Sequence, residues 1–167
     1  MSILIKKTSR MLRVRKAVIL LFFILPLSLF SQESLKVKLN EFLDEWHSDA
    51  ARADMEAYFN KIDDVGIYIG TDATENWTKL AFFDWSKPYF DKGKAWEFHA
   101  VERNIFFSED LALAWFDEQL EASYGMLRGS GVLRLENGEW KIMHYVLSLP
   151  VPNEKFNKIL EVLSEQE

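Results

Sequence analysis

The sequence predicts an α+β fold in which helices precede an antiparallel sheet, and three observations carry this prediction. Two helical regions with amphipathic spacing come first, and four long strand-like segments follow them from residue 95 onward. No helix separates these strands, so the chain lacks the strand–helix–strand alternation of a parallel sheet. Asn137-Gly138, between two alternating segments, is the strongest short-range signal of a β-hairpin.

The first helical region covers residues 33–62. Leu35 begins and Trp46 ends one apolar stripe at helical spacing, and Met55 belongs to its repetition. Good helix-forming residues lie between the apolar positions. We therefore predict one long helix, or two helices with a bend near Ser48.

A short strand and a second helix follow. Apolar residues alternate over 65–69, which predicts a strand that stops at Gly70. Thr78 carries the kind of side chain that caps a helix N-terminus, and the sequence 91–93 closes the helix. Apolar residues on two stripes of this helix predict that it is mostly buried, and Pro88 should bend it.

The rest of the chain is strand-like and ends in a tail helix. Several strands carry apolar groups on both faces, which predicts a sheet that helices cover on one side and that curls on the other. The predicted strands are 95–107, 111–121, 124–135 and 139–149, and the predicted tail helix is 153–166.

The N-terminus has the order of a secretory signal peptide, which we assign to residues 1–31. Six basic residues and no acidic residue occur there, and an apolar stretch from Val18 leads to Ser31. The alternative is a membrane anchor, but the apolar stretch is short and Pro26 interrupts it, whereas a spanning helix needs roughly 20 residues. We expect cleavage near Ser31 or Gln32, no stable membrane anchor afterwards, and a periplasmic or secreted protein.

Charge and composition exclude several classes of function. The 136 residues after the predicted signal peptide hold 14 basic and 26 acidic residues, a net charge of −12. Nucleic acid is therefore not an expected partner, because binding to phosphates requires a basic surface. The chain has no cysteine, which excludes a disulfide scaffold, a cysteine nucleophile and a zinc–thiolate site. Three separated histidines provide no metal-binding spacing, so we expect neither a metal nor a cofactor.

Five segments follow one another along the chain in a recognisable order. They are YIGTDATENW (68–77), KPYF (87–90), RGSGVL (128–133), NGEWKI (137–142) and LSLPVPN (147–153). Each is weakly specific alone, but together they resemble the SnoaL-like branch of the nuclear transport factor 2-like superfamily, and the resemblance extends over about residues 33–155.

The resemblance implies a cone-shaped fold in which a strongly curved antiparallel sheet wraps a long helix and a pocket lies at the mouth. We divide the chain into the signal peptide (1–31), a SnoaL-like domain (32–155) and a tail helix (156–167). Related sequences often have a second histidine two residues after the one matching His144, and Val146 stands there instead. The resemblance also implies a homodimer, because the curved sheet of this superfamily commonly dimerises.

Three polar residues on strands are the first candidates for the site. We predict catalytic roles for Asp117 and His144, since each lies among apolar residues on a strand where burial could tune its pKa. Arg128 could pair with Asp117 or bind an anionic ligand group. Each of the three residues alternates in step with other residues on one face of its strand. We therefore predict that all three point into one cavity, which aromatic residues of the helices also line. Each residue also fits a purely structural role.

Aromatic and polar residues complete the predicted ligand site. A pocket of this kind needs an apolar lining with a few polar groups. His47, on the flank of the first helix, is interpreted as structural. The predicted ligand-binding residues besides Arg128 are Tyr58, Trp77, Trp85, Tyr89, His99, Arg103 and Trp115.

Three functions stay open at this point. The first is an exported pocket protein that binds a small, largely apolar molecule without a defined catalytic activity. The second is an acid/base enzyme of the isomerase, cyclase or dehydratase kind. The third is a module for homodimerisation or protein interaction. Fold alone does not separate them.

Overall fold

The computed structural model describes residues 32–164, and the predicted signal peptide lies outside these residues. The chain divides into two units, Met1–Leu39 and Asn40–Glu167. The described part of the first unit, residues 32–39, is helical. The second unit contains the strands, the remaining helices and the cavities discussed below.

The described residues form four α-helices, six strands and one short 3-10 helix. Their order supports the predicted α+β class, with helices first and strands β3 to β6 in succession afterwards. The elements are α1 (32–51), α2 (Met55–Asn60), β1 (Ile62–Ile69), β2 (Asn76–Thr78), α3 (Lys79–Phe90), β3 (His99–Phe107), β4 (Leu113–Ala122), β5 (Gly125–Glu136), β6 (Glu139–Ser148), the 3-10 helix Asn153–Lys155 and α4 (Phe156–Ser164).

The first helical region is two helices, and the break comes later than the predicted bend near Ser48. Ala53 has a φ of 57°, a left-handed conformation that cannot continue α1. Asp54 then caps α2, because its carboxylate accepts a 3.0 Å hydrogen bond from the backbone N–H of Ala57.

Helix α3 begins and ends where the sequence predicts. The hydroxyl of Thr78 accepts a 3.3 Å hydrogen bond from the backbone N–H of Ala81, and Asp91 is the C-terminal cap. Pro88 lies inside the helix as predicted. The strand β2 immediately before α3 was not predicted, since three residues are too few to show an alternating pattern.

The sheet is curved and mixed, with strand order β2-β1-β6-β5-β4-β3. Four neighbouring pairs are antiparallel, including those of the four long strands β3 to β6 as predicted, and β1 runs parallel to β6. A parallel pair needs a long connection between its strands. The connection from β1 to β6 includes β2, α3 and three further strands. It is therefore long enough for β1 to pair with β6 in either the parallel or the antiparallel direction.

The predicted hairpin is present between β5 and β6. Asn137 and Gly138 have φ values of 52° and 84°, the two positive angles that a two-residue hairpin turn of type I′ requires. The pairing of β5 with β6 then shifts between Val132 and Leu133, where β6 carries an extra residue, Met143. This bulge reverses the side-chain parity of β6, so His144 does not share a face with Ile142.

One face of the sheet packs against the helices and is called the inner face. It includes Phe116 of β4 and Tyr145 of β6, whose rings lie 6.1 Å apart. The ring of Trp46 in α1 contacts Tyr145 edge-on at 4.8 Å and stacks on Tyr58 of α2 at 5.0 Å. Helix α3 packs on β1 and β2. The opposite face of the sheet is called the outer face.

Helix α4 buries none of its residues, although its sequence is amphipathic. Phe156, Ile159, Leu160 and Leu163 follow helical spacing and are all exposed. Within residues 32–164, no helix combines the length and apolarity that crossing a membrane would require.

Candidate functional site

Asp117, Arg128 and His144 share one face of the sheet, and it is the outer face. In β4, Asp117 alternates with the buried Phe116 and Glu118, so its side chain points away from the helices. Arg128 likewise alternates with buried residues of β5. The prediction that these three residues point into one cavity with helix aromatics is therefore corrected. Parity within β4 and β5 was right, but the inner face belongs to the other set of residues, and in β6 the bulge at Met143 separates His144 from the face of Trp140 and Ile142.

The surroundings of Asp117 are polar and exposed. Its Oδ1 accepts a 3.1 Å hydrogen bond from Nδ2 of Asn104, and Ser130 is its partner on β5. His144 pairs with Val132 and Ile67. Val132 lies two residues after Ser130, the partner of Asp117, so His144 and Asp117 belong to neighbouring rows of the outer face. The catalytic roles of Asp117 and His144 stay predictions, and neither residue lines the two cavities described below.

Trp115 also lies on the outer face, where it is 47% exposed. It continues a row of paired residues across five strands, and its ring stacks at 6.0 Å on Phe106, which is 48% exposed. We call this row the outer row; it consists of Phe106, Trp115, Val132, His144 and Ile67. The predicted place of Trp115 in the pocket is therefore also corrected.

Arg103 is buried, and it belongs to a polar cluster on the inner face rather than to a pocket. Its Nε donates a 2.8 Å hydrogen bond to Oε2 of Glu118. Its Nη1 lies 2.9 Å from the carboxylate of Asp44 and donates a 3.1 Å hydrogen bond to the side chain of Asn40. Arg103 thus ties β3 to β4 and to α1.

Glu118 is the centre of this cluster. Its Oε1 accepts hydrogen bonds of 2.9 Å from Nε2 of His47 and 2.9 Å from the hydroxyl of Tyr145. Burial alone would raise the pKa of Glu118, but the hydrogen bonds and positive charges of His47 and Arg103 outweigh burial and hold it below its usual value. Burial, together with the charge of Glu118, raises the pKa of Tyr145. The carboxylate therefore stays ionised inside the protein.

Glycines of β5 make room for this cluster. Gly129 pairs with Glu118, and a Cβ added at Gly129 would lie 2.7 Å from Oε1 of Glu118 and would collide with the hydroxyl of Tyr145. Gly131 stands opposite Phe116 in the same way. The alternating glycines were the sequence signal for the inner face, because a strand side without Cβ atoms admits bulky partners.

An aromatic cavity of about 160 Å³ lies between β1, α3 and the segment before β3. We call it the aromatic cavity. Seven of its eleven lining residues are aromatic, and Glu75 is its charged residue. Its lining is Tyr68, Gly70, Thr71, Glu75, Trp77, Phe82, Trp85, Trp96, Phe98, Tyr124 and Leu147.

The floor of the aromatic cavity is rigid and its rim is open. Tyr68 and Phe82, both buried, stack at 3.9 Å, and Phe82 stacks on Trp96 at 5.7 Å. Trp85 and Tyr124 at the rim are 41% and 67% exposed. Solvent and small molecules can therefore reach a floor that the protein interior holds in place.

A loop between β1 and β2 brings Glu75 to the cavity. The backbone N–H of Gly70 donates a 3.0 Å hydrogen bond to the carbonyl of Glu75, which closes the loop. The Glu75 carboxylate folds over Gly70 and accepts a 3.2 Å hydrogen bond from the backbone N–H of Asp72. A Cβ at Gly70 would collide with this carboxylate. The contact with Gly70 thus places the charge at the cavity wall.

The structure brings two of the predicted ligand-binding residues to this cavity, Trp77 and Trp85, whose rings lie 4.7 Å apart. Tyr58 is buried in the core, where it contacts Phe90 at 5.5 Å. Tyr89 is exposed beside Trp85, 5.0 Å between ring centroids, and does not line the cavity.

A second, more polar cavity of about 450 Å³ adjoins the first and shares Trp96, Phe98 and Tyr124 with it. His99 lies here, as the prediction of a polar ligand contact requires, and its Nε2 is 3.3 Å from a carboxylate oxygen of Glu97. The remaining residues of its lining are Lys94, Ala95, Glu97, Glu121, Ala122 and Ser123.

The buried Glu118 cluster lies directly behind the aromatic cavity. The ring of Tyr145 is 5.5 Å from that of Tyr68, and the ring of His47 is 6.0 Å from that of Phe98. Tyr68 and Phe98 thus separate the cluster from the cavity, so the cluster supports the cavity wall without lining it. Across residues 32–164, no group of three or more His, Asp or Glu residues is arranged to hold a metal ion.

Solved structures with the same fold support this architecture. An NTF2-like protein of unknown function from Pseudomonas putida KT2440 is 13% identical, with a TM-score of 0.61, and the match covers 74% of this chain and 92% of that one. An NTF2-like protein from Cytophaga hutchinsonii is 16% identical, with a TM-score of 0.55 and coverage of 69% and 97%. The association domain of C. elegans CaMKII is 14% identical, with a TM-score of 0.57 and coverage of 71% and 98%.

No curated protein matches the chain by sequence. The model of the SnoaL-like domain family, in contrast, matches residues 39–152. This match includes four of the five segments that suggested the resemblance and all of the fifth except Asn153, together with all six strands. The chain therefore belongs to the SnoaL-like domain family.

Proposed function

We propose that the protein binds a small, largely apolar molecule in the aromatic cavity. The observation that carries the proposal is the lining itself, in which aromatic rings predominate and the floor consists of buried, stacked rings. Ligand sites are typically apolar concavities with a few polar groups that fix orientation. The SnoaL-like domain is compatible with a ligand-binding role.

A titration with 2-naphthol, a small aromatic probe, tests the proposal. Isothermal calorimetry should give saturable binding to the wild-type protein. Trp85→Ala should weaken binding by about tenfold, because this variant removes a rim ring and leaves the buried floor intact. Trp115→Ala is the matched control, since that tryptophan is equally exposed but lies on the outer face. Equal binding by all three proteins would contradict the proposal.

We further propose that the protein acts outside the cytoplasm, in the periplasm or as a secreted protein. The basic and then apolar order of residues 1–31 supports export, and so does the absence of cysteine. N-terminal sequencing of the protein from its own host should find a start near Ser31 or Gln32. An intact N-terminus in the membrane fraction would contradict export.

Homodimerisation is the second function that we propose, and the outer row supports it. Phe106 and Trp115 expose large apolar surfaces next to each other, and Val132 continues the row. Contiguous exposed apolar surface is a mark of interaction sites. The likeness to an association domain of the same fold is consistent with self-association.

A further inference from the structure

The aromatic cavity has a charge preference that follows from its lining. Glu75 is the one ionisable group there besides the tyrosines, and neither Lys, Arg nor His contributes to the lining. A carboxylate or phosphate ligand would meet a negative charge and no positive partner. The cavity is therefore suited to neutral or positively charged molecules.

The position of Glu75 favours positively charged molecules over neutral ones. The side chain of Glu75 is half-buried, and its carboxylate accepts a hydrogen bond from the backbone N–H of Asp72. Within residues 32–164, Glu75 forms no ion pair. The negative charge of Glu75 also contributes, after burial, to the raised pKa of Tyr68 on the cavity floor. Holding a carboxylate against aromatic rings without a cation is unfavourable, and a cationic ligand would offset that cost.

The rings favour the same class of ligand. Three tryptophans, Trp77, Trp85 and Trp96, line the cavity. Tryptophan is the best aromatic partner for cations, and cages of aromatic residues are the usual recognition site of quaternary ammonium groups. Such groups are apolar on their surface, which agrees with the largely apolar ligand proposed above.

We propose that the aromatic cavity binds organic cations, with a methylated ammonium group among its tryptophans and the charge facing Glu75. This inference rests on the proposed ligand-binding function and specifies the class of ligand. The cavity volume of about 160 Å³ accommodates a trimethylammonium head.

Choline and its neutral isostere, 3,3-dimethylbutan-1-ol, provide the test. The two probes have nearly the same shape and differ in the positive charge. Calorimetric titration of the wild-type protein should show choline binding at least about tenfold more tightly than the isostere. Equal affinity for the two probes, or binding of 2-naphthol without binding of choline, would overturn the cation proposal and leave the proposed function standing. Failure of all three probes to bind would overturn both.

Variants locate the charge that matters. Glu75→Gln should abolish most of the preference for choline over the isostere. Asp84→Asn is the matched control, because Asp84 is exposed on α3 next to Trp85 but does not line the cavity. Gly70→Ala should act like Glu75→Gln, since its new Cβ would displace the carboxylate. A preference that survives both Glu75→Gln and Gly70→Ala, or that Asp84→Asn removes equally, would contradict the proposal.

Discussion

The hydroxyl of Tyr145 donates a 2.9 Å hydrogen bond to Oε1 of Glu118, the oxygen that His47 also reaches at 2.9 Å. Arg103 occupies the other oxygen, Oε2, at 2.8 Å. The side chain of Glu118 has no exposed surface, so these three residues replace the water that a carboxylate requires. The cluster joins α1 to three strands directly behind the aromatic cavity.

Replacing the carboxylate should destabilise the protein strongly. Glu118→Gln leaves Arg103 and His47 without their anionic partner, and removing one member of a buried ion pair costs about 3–5 kcal/mol. Urea denaturation followed by circular dichroism measures this loss. Glu121→Gln on the same strand is the control, because Glu121 is exposed, and should change stability by less than about 0.5 kcal/mol. Similar small effects for both variants would show that the cluster contributes little.

The stability of the protein should fall in acid because of Glu118. Its pKa is lower in the folded protein than in the unfolded chain, so its contribution is complete above the unfolded value of about 4.3. As the pH falls, Glu118 is protonated first in the unfolded chain, which favours unfolding. Its contribution to stability is lost by the time the pH has fallen through the lower pKa of the folded protein. The difference in unfolding free energy between wild type and Glu118→Gln should therefore be constant near neutrality and shrink below pH ~4. A difference independent of pH would contradict this assignment.

Gly129→Ala should also destabilise the fold, by about 1–3 kcal/mol, because the added Cβ overpacks the inner face against Glu118 and Tyr145. Thermal unfolding provides the measurement. Ser130→Ala, the next position on the outer face, should have a small effect. Wild-type stability of Gly129→Ala would mean that the strands have room the structure does not show.

Most elements of the fold were predictable because they have local signals, whereas the three-residue strand β2 has none. Thr78 marks a helix start, and Asn137-Gly138 marks a hairpin, through interactions within a few residues of chain. The parallel pairing of β1 with β6 has no local signal, since it joins residues about 80 positions apart, such as Tyr68 and Tyr145.

The candidate site was harder to predict because each face of β4 mixes large apolar residues with at least one acidic residue. Trp115 and Asp117 alternate with Phe116 and Glu118, so the pattern does not say which set is inside. The bulge near Met143 then moves His144 to the outer face. Trp77 and Trp85 lie together at the cavity because β2 and α3 follow each other directly in the chain, which brings their rings within 4.7 Å.

Self-association through the outer row predicts the behaviour of one substitution. Trp115→Glu places a charge in the middle of the exposed apolar surface and should convert a dimer to a monomer in sedimentation velocity experiments. Leu80→Glu is the control, because Leu80 is highly exposed on α3, outside the sheet. A wild-type protein that is monomeric at all concentrations would contradict the dimer, and so would a dimer unaffected by Trp115→Glu.

Native mass spectrometry of protein purified from its own host tests most directly whether the aromatic cavity holds a ligand. Thr71→Trp should fill the cavity from its exposed rim, whereas Ala73→Trp adds the same ring to the same loop outside the lining. We predict that wild type and Ala73→Trp carry the same bound small molecule and that Thr71→Trp has lost it. A bound molecule retained by Thr71→Trp, or none on the wild-type protein, would contradict the account.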